Sequence, residues 1–280
     1  MPELPEVEVT RRAIAQVAQG RVIDAAEFRV PRLRWDVPAG LARTLAGRRI
    51  DRIERRGKYL LIECTDAQRP PGWLLVHLGM SGSFTVVAAD TPLRKHDHAD
   101  LRLGDRVLRY HDPRRFGSID WLPVASLAEC EAHPLLAGLG VEPLSDAFTA
   151  ELLWQRTRGR RVAIKQALLA GHIVVGVGNI YCSEALYRAG IHPAMQAQRL
   201  SRERAVRLVL AIRETLAEAI AAGGSSLRDF VSGEQEMGYF QVNARVYDRA
   251  GEPCRGCGNT IRKLLQGQRA TYYCSVCQKR

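Results

Sequence analysis

The chain has 280 residues and carries 41 Lys and Arg against 30 Asp and Glu, a formal net charge of +11. This balance favours a polyanionic partner, nucleic acid before a membrane surface, and the length predicts two domains. No apolar run is long enough to cross a bilayer, and charged residues begin at Glu3, so we expect no secretion leader. We therefore expect a protein of the reducing cytoplasm, whose seven cysteines serve as thiols or metal ligands rather than disulfides.

The first half of the chain predicts one helix followed by many short strands. Apolar residues recur at helical spacing over 4–18, and Gly20 ends the helix. From 21 to 122 short apolar runs alternate with Gly, Pro and Asp, which is typical of a sandwich or barrel. The clearest of these runs are 59–62, 73–76 and 84–87.

The second half predicts helices. A linker rich in Pro and Gly covers about 133–143, and helical patterns follow it. Gly223-Gly224 would stop the last helix. The predicted helices run from an Asp146 cap to about Arg158, over Val162–Ala170, from Asn179 to about Arg188, and from Ser201 onward.

Four cysteines near the end have the spacing of a closed zinc site. Two Cys-x2-Cys pairs lie sixteen residues apart, and each pair places two sulfurs on one side of a turn. We expect one structural Zn²⁺, with a hairpin between the pairs formed by Thr260–Leu265, a Gln266-Gly267 turn and Arg269–Tyr273. The ligands would be Cys254, Cys257, Cys274 and Cys277, whereas Cys64, Cys130 and Cys182 have no partner spacing and are expected to be ordinary thiols.

The chain begins with a proline after Met1. Removal of Met1 would leave Pro2 with a free secondary amine, and chain-end amines have a pKa of about 7.7–8.0. Such an amine can attack an aldehyde-like carbon and form an iminium, and Glu3 and Glu6 are acids close to it in sequence. The same residues also suit an ordinary first helical turn, so the N-terminus by itself leaves both interpretations open.

The chain resembles the bacterial formamidopyrimidine-DNA glycosylases. The resemblance rests on Pro-Glu-Leu-Pro-Glu-Val-Glu at 2–8, the zinc tail, and three interior motifs in the same order. These are His-Leu-Gly-Met-Ser-Gly at 77–82, His-Asp-Pro-Arg-Arg-Phe-Gly at 111–117, and Gly-Val-Gly-Asn-Ile-Tyr at 176–181.

The resemblance implies an α+β fold in three segments. Residues 1–133 would form a catalytic domain, an N-terminal helix with a two-layer β-sandwich. Residues 134–240 would form a helical domain with a helix-two-turns-helix motif and a lesion-capping loop at 225–240. Residues 241–280 would form the zinc-finger hairpin. The loop tip at 232–237, Ser-Gly-Glu-Gln-Glu-Met, departs from the Gly-Glu-Pro-Gly-like tip of many members.

The resemblance also implies a role for each matching residue. Pro2 would form the Schiff base, Glu3 would move protons at the sugar, and Glu6 would hold the N-terminal segment. Lys58 and Arg269 would complete the catalytic set at the phosphates. The DNA-binding set would be His77 and Asn179 at phosphates, Met80, Arg114 and Phe116 in the gap left by the extruded base, and Lys165 near the lesion.

The implied activity is removal of 8-oxoguanine and ring-opened purines from double-stranded DNA, followed by β,δ-elimination. The resemblance implies a monomer without membrane partners, in the bacterial cytoplasm at the nucleoid. Two alternatives stay open here. One is an endonuclease VIII-like glycosylase for oxidised pyrimidines, and the other is a non-catalytic, zinc-containing DNA-binding protein.

Overall fold

The computed structural model describes residues 2–223 and 244–280. The chain forms two compact units, Met1–Ala137 and Gly138–Arg280. The predicted lesion-capping loop, 225–240, lies outside the described residues. Within the described ranges, no helix has both the length and the apolar character needed to span a bilayer.

The first unit is a helix followed by two antiparallel sheets. One sheet has the strand order β1-β6-β7-β5 and the other has the order β2-β3-β4-β8. The helices are α1 (Leu4–Ala18), α2 (Leu41–Leu45) and α3 (Leu127–Cys130), and the strands are β1 (Ala25–Phe28), β2 (Arg49–Arg56), β3 (Tyr59–Thr65), β4 (Gly72–His77), β5 (Ser83–Ala88), β6 (Asp97–Leu103), β7 (Arg106–His111) and β8 (Ser118–Leu122).

The two sheets and α1 share one core, which makes this unit a β-sandwich. Ile62 and Val76 from one sheet, Leu101 and Leu108 from the other, and Ile14 from α1 all belong to the same buried cluster. The predicted helix over 4–18 and the three predicted strand runs are confirmed, because each apolar pattern finds this common core. The N-terminus of the chain is thereby fixed against the sandwich.

The second unit contains the predicted helices. The helix beginning at Asn179 and the long helix capped by Ser201 are confirmed; the Ser201 hydroxyl accepts a hydrogen bond from Arg204 N. The elements are α4 (Ala150–Thr157), α5 (Ile164–Leu169), α6 (Asn179–Arg188), a 3₁₀ turn (Ala197–Arg199) and α7 (Arg202–Ala221).

Two predicted helix starts are wrong. Thr149 rather than Asp146 caps α4, and its hydroxyl accepts a hydrogen bond from Leu152 N at 3.1 Å. Residues Val162 and Ala163 are not helical. Ala163 instead forms a β-bridge with Gln196, and this tertiary pairing outweighs the local helical pattern, so α5 begins at Ile164.

The zinc-finger segment contains the predicted hairpin, formed by β9 (Ile261–Gln266) and β10 (Arg269–Cys274). The turn lies one residue later than predicted, at Gly267-Gln268. Both turn residues have positive φ, +53° and +62°, the geometry that two-residue hairpins favour. This register leaves Arg269 as the first residue of β10.

Candidate functional site

The N-terminus is held by reciprocal hydrogen bonds at the start of α1. Glu3 is 1% exposed, and its backbone N–H donates to Glu6 Oε2 at 2.8 Å. The Glu3 side chain in turn accepts from the backbone of Glu6, which completes a capping box. Both predicted acids therefore help to fix the backbone directly after Pro2, which is itself half-buried. A nucleophile at this position would be presented by a rigid helix start.

A buried ion cluster ties α1 to the adjacent strand β2. The Glu8 carboxylate accepts hydrogen bonds from Arg11, Arg12 and Arg55, at 2.9, 2.8 and 3.1 Å. Burial raises the pKa of Glu8, but the hydrogen bonds from its arginine partners lower it to about 2. Glu8 is therefore ionised at neutral pH, and its contact with Arg55 fixes β2 beside the helix.

Lys58 lies in the two-residue turn between β2 and β3. Gly57, the first turn residue, has φ +58°, a conformation that glycine adopts without strain. Arg55 Nη1 donates to the Gly57 carbonyl at 3.1 Å. The ion cluster and the turn are therefore connected through Arg55, and Lys58 is carried by the same structure that holds α1.

His77 is a neutral hydrogen-bond donor at the end of β4. Its Nδ1 accepts from Gly79 N at 3.1 Å, so the neutral ring carries its proton on Nε2. Burial, followed by the positive charges of Lys58 and Arg34, lowers the pKa of His77 to about 4. At neutral pH the ring can offer one N–H to a phosphate oxygen without contributing a charge.

Two loops of the first unit present the predicted gap-filling side chains. We name them the Met80 loop, residues 77–82, and the Arg114 loop, residues 112–117. Met80 and Phe116 are each 42% exposed, so neither packs as a core residue. The Arg114 guanidinium lies 4.5 Å from the centre of the Phe116 ring, a cation–π contact. The loops thus hold exposed apolar and cationic groups suited to a gap in a base stack.

In the second unit, Asn179 and the hairpin meet at one carbonyl. Asn179 is the first residue of α6, and its Nδ2 donates to the Ala270 carbonyl at 3.0 Å. Arg269, directly before Ala270, is exposed. The helix N-terminus is therefore bonded to the residue next to Arg269 in sequence, and a helix N-terminus and a guanidinium both favour an anion.

Lys165 is buried rather than solvated. Its side chain is fully inaccessible, and Nζ donates to Thr271 Oγ1 at 2.9 Å and lies 3.4 Å from the Ala270 carbonyl. These contacts join α5 to β10. The predicted contact of Lys165 with DNA stays a prediction, and the described geometry shows a lysine that supports the strand beginning at Arg269.

The four predicted zinc ligands converge, and their sulfur atoms all lie within 4.8 Å of one another. The Sγ atoms of Cys254 and Cys277 are 3.9 Å apart, and those of Cys257 and Cys274 are 3.5 Å apart. A tetrahedral site with Zn–S bonds of about 2.3 Å requires sulfur separations of about 3.8 Å. The donor set and its dimensions fit one structural Zn²⁺, which confirms the predicted cofactor.

Tyr187 adds a hydrogen bond to this cluster from α6. Its hydroxyl lies 3.2 Å from Cys254 Sγ, within reach for O–H donation to a metal-bound thiolate. The backbone N–H of Gly256 also approaches Cys254 Sγ, at 3.4 Å. The metal site is thereby connected to the helix that begins at Asn179.

Comparison with protein families accounts for most of the chain. Residues 1–119 match the formamidopyrimidine-DNA glycosylase N-terminal domain, 139–231 match the H2TH domain of the same enzymes, and 251–280 match a zinc finger found in FPG and IleRS. The chain belongs to the formamidopyrimidine-DNA glycosylase family. The predicted α+β fold, with its helix-two-turns-helix motif and zinc finger, is confirmed by these matches and by the described elements.

Individual relatives agree over the full length. The formamidopyrimidine-DNA glycosylase of Burkholderia pseudomallei (strain 1710b) is 57% identical over 282 residues, with complete coverage of both chains. A mutant of Lactococcus lactis FPG in complex with Fapy-dG-containing DNA has a TM-score of 0.89 and 35% identity, again with complete coverage of both. Wild-type Lactococcus lactis FPG in complex with DNA containing an oxidised pyrimidine has a TM-score of 0.88 and 34% identity.

Membership in the glycosylase family decides between the alternatives left open by the sequence. The chain is a base-excision-repair DNA glycosylase with lyase activity, and neither a non-catalytic binding protein nor an endonuclease VIII-like enzyme is favoured.

Several groups that shape this glycosylase's site were not singled out from the sequence. Asp112 belongs to a quoted motif, but its full burial gave no sequence signal. Glu8 lies in the motif at 2–8, but nothing in the local sequence indicates its bond to Arg55, which lies 47 positions away. Glu184 and Tyr187 follow Asn179 on α6, and a helical pattern alone does not reveal which side chains reach the zinc segment.

Proposed function

We propose that this glycosylase removes oxidised purines, 8-oxoguanine and formamidopyrimidines, from duplex DNA through a Schiff base on Pro2. The observation that carries the proposal is the start of α1, where the almost fully buried Glu3 and the Glu6 carboxylate hold the backbone next to a proline at position 2. An amine held by a helix start and flanked by a carboxyl group matches the requirements of amine-driven covalent catalysis.

The reaction requires an unblocked Pro2. The Pro2 nitrogen forms a bond to C1′ of the damaged nucleotide while the bond from C1′ to the base breaks, and the base takes up the proton that the Pro2 nitrogen releases. Glu3 supplies a proton to O4′ as the sugar ring opens to the iminium. Loss of a C2′ proton expels the 3′-phosphate, a second elimination expels the 5′-phosphate, and water hydrolyses the iminium to restore the amine.

The remaining predicted residues are proposed to bind the DNA. Lys58 and the neutral N–H of His77 would contact phosphates from the first unit, and Asn179 with Arg269 would do so from the second. Met80, Arg114 and Phe116 would fill the gap in the duplex, with Arg114 hydrogen-bonded to the unpaired cytosine. The unstacking cost of a few kcal/mol makes such fillers necessary.

We further propose the division of labour suggested by the sequence. Residues 1–133 act as the catalytic segment, 134–240 as the helical DNA-binding segment and 241–280 as the zinc finger. The protein would work as a monomer in the bacterial cytoplasm, associated with the nucleoid through its DNA.

Borohydride trapping on a duplex containing 8-oxoguanine opposite cytosine tests the proposal. We expect a covalent protein–DNA band, with proteolysis mapping the adduct to Pro2 and intact mass showing that Met1 is absent. Pro2→Gly replaces the ring-constrained secondary amine with a freely rotating primary amine and should slow base excision by about 100-fold or more, whereas Pro92→Gly, a matched control in an exposed loop, should not. Mapping of the adduct to a lysine would refute the proposed nucleophile, and full excision by Pro2→Gly would show that the proline ring is not needed for it.

A second variant separates proton transfer from amine attack. Glu3→Gln should lose excision of 8-oxoguanine by about 100-fold or more and still be trapped on a preformed abasic site, because the sugar of an abasic site opens to its aldehyde in water and does not need a proton from Glu3. Equal loss on both substrates would instead indicate that Glu3 serves only to hold the N-terminus.

A further inference from the structure

Asp112, the first residue of the Arg114 loop, is fully buried, and the proposed reaction does not use it. Its Oδ1 accepts hydrogen bonds from Ser81 Oγ and from Arg114 N, both at 3.2 Å. Its Oδ2 accepts from Gly117 N at 2.8 Å. One carboxyl group therefore receives donors from both loops, two from the Arg114 loop and one from the Met80 loop.

Tyr110 adds a second link beneath the loops. Its hydroxyl donates to the His77 carbonyl at 3.1 Å and lies 3.5 Å from Asp112 Oδ2. Burial foremost, and then the negative charge of Asp112, raises the pKa of Tyr110, so its hydroxyl keeps its proton. The base of the Met80 loop is therefore bonded to the same group of residues.

The two loops also pack backbone against backbone. Gly79 has φ +67°, and a Cβ there would come within 3.0 Å of the Phe116 and Gly117 backbone. A Cβ on Gly117 would come equally close to the Tyr110 hydroxyl and the His77 carbonyl. No side chain separates the loops at these points, so a shift of one loop must move the other.

We propose that Asp112 is a positioning residue that holds the Met80 loop and the Arg114 loop as one rigid unit for filling the gap left by the lesion. The hydrogen bonds of Asp112 are observed in the structure, and only the gap-filling task of the two loops rests on the proposed function. Since Arg114 N bonds directly to Asp112, the carboxyl group also sets where the Arg114 guanidinium meets the opposite base. Asp112 thereby contributes to the preference for cytosine opposite the lesion.

Asp112→Asn tests the proposal with little change in size. An amide keeps one acceptor oxygen and puts an N–H₂ group in place of the other, so at least one backbone donor of the Arg114 loop faces another donor. Asp100→Asn is the matched control, because it removes a half-buried carboxylate whose hydrogen bonds from Arg29 and Arg109 involve no residue of either loop.

We expect single-turnover excision of 8-oxoguanine opposite cytosine to fall by about 10- to 100-fold in Asp112→Asn, the cost of misplacing a positioned group. Cleavage at a preformed abasic site should change less than about threefold, because no base must be unstacked there. The preference for cytosine over adenine opposite the lesion should also fall, whereas Asp100→Asn should keep it. Normal excision and normal preference in Asp112→Asn would overturn the proposal, as would an equal loss on both substrates.

Hydrogen exchange and a second variant, Ser81→Ala, also test whether Asp112 holds the two loops together. Hydrogen exchange of the backbone amides at 79–82 and 112–117 should quicken together in Asp112→Asn; faster exchange with unchanged excision would refute the functional link. If Asp112→Asn does not fold, Ser81→Ala removes only the side-chain donor that joins the loops, and it should lower excision about threefold while keeping abasic cleavage; no change would refute the proposal.

The variants Arg114→Ala and Phe116→Ala distinguish an error in the proposed task of the loops from an error in the proposed role of Asp112. If both excise 8-oxoguanine normally, the proposed task of the loops is wrong. If both lose excision while Asp112→Asn resembles the wild type, the loops act as proposed and Asp112 does not position them.

Discussion

Glu184 anchors the segment that leads into the zinc finger, and its removal gives the sharpest prediction of stability. Its carboxyl group is buried on α6. Oε1 accepts from Val246 N at 3.0 Å and from Tyr247 N at 2.8 Å, and Oε2 accepts from Arg245 N at 2.8 Å. Three consecutive backbone N–H groups therefore depend on one side chain.

The expected loss in the free energy of unfolding depends on how many of these three hydrogen bonds a variant removes. Glu184→Gln keeps one acceptor oxygen and turns an N–H₂ group toward at least one backbone donor. The loss of one hydrogen bond to a charged acceptor costs about 1.5–3 kcal/mol. Glu184→Ala leaves all three donors without their acceptor, and water can reach Arg245 and Tyr247 more easily than the fully buried Val246. We expect a loss of about 3–5 kcal/mol for this variant.

Urea unfolding followed by circular dichroism measures the free energy, and hydrogen exchange at 245–247 locates the effect. Glu218→Gln is the control, because Glu218 is an exposed residue of α7 whose carboxylate pairs with Arg188 of α6. Exposed ion pairs contribute little to the free energy of unfolding. The reasoning is refuted if Glu184→Gln unfolds at the same urea concentration as Glu218→Gln, or if exchange at 245–247 is unchanged.

Three other predictions concern the zinc site and His77. Chelation of zinc, or Cys257→Ser, should unfold the hairpin and abolish DNA binding through Arg269; a gel shift that survives complete metal loss would contradict this. Tyr187→Phe keeps the ring but removes the hydroxyl near Cys254. Competition with a chromogenic chelator should show about tenfold weaker zinc retention, and unchanged retention would show that the hydroxyl does not support the zinc site. The folded pKa of His77, about 4, lies below its ordinary value of 6.5, so its contribution to stability is present above pH 6.5 and is lost as the pH falls toward 4. His77→Gln should therefore reduce the loss of stability over this range, by up to about 3 kcal/mol, in melts at a series of pH values; an unchanged pH profile would show that His77 titrates normally.

Local chemistry determined much of what the sequence predicted. The zinc ligands were predictable because two Cys-x2-Cys turns carry their geometry within four residues each. The helix over 4–18 and the helix from Asn179 follow from apolar spacing, since each stripe needs only a core to pack against. The motif residues Met80, Arg114 and Phe116 were recognisable by resemblance, and the structure places all three on exposed loops.

Tertiary structure alone decided the features that depend on distant partners. The pairing of Ala163 with Gln196 delayed the start of α5, because this contact between residues 33 positions apart outweighs the local helical pattern. The burial of Lys165 beneath β10 required the hairpin to fold over it. Asp112 is the clearest case, because the sequence shows it only as part of the motif at 111–117. Its hydrogen bonds come from donors on two loops that only the sandwich brings together. A buried carboxyl group must be hydrogen-bonded, and the fold decides which donors surround it.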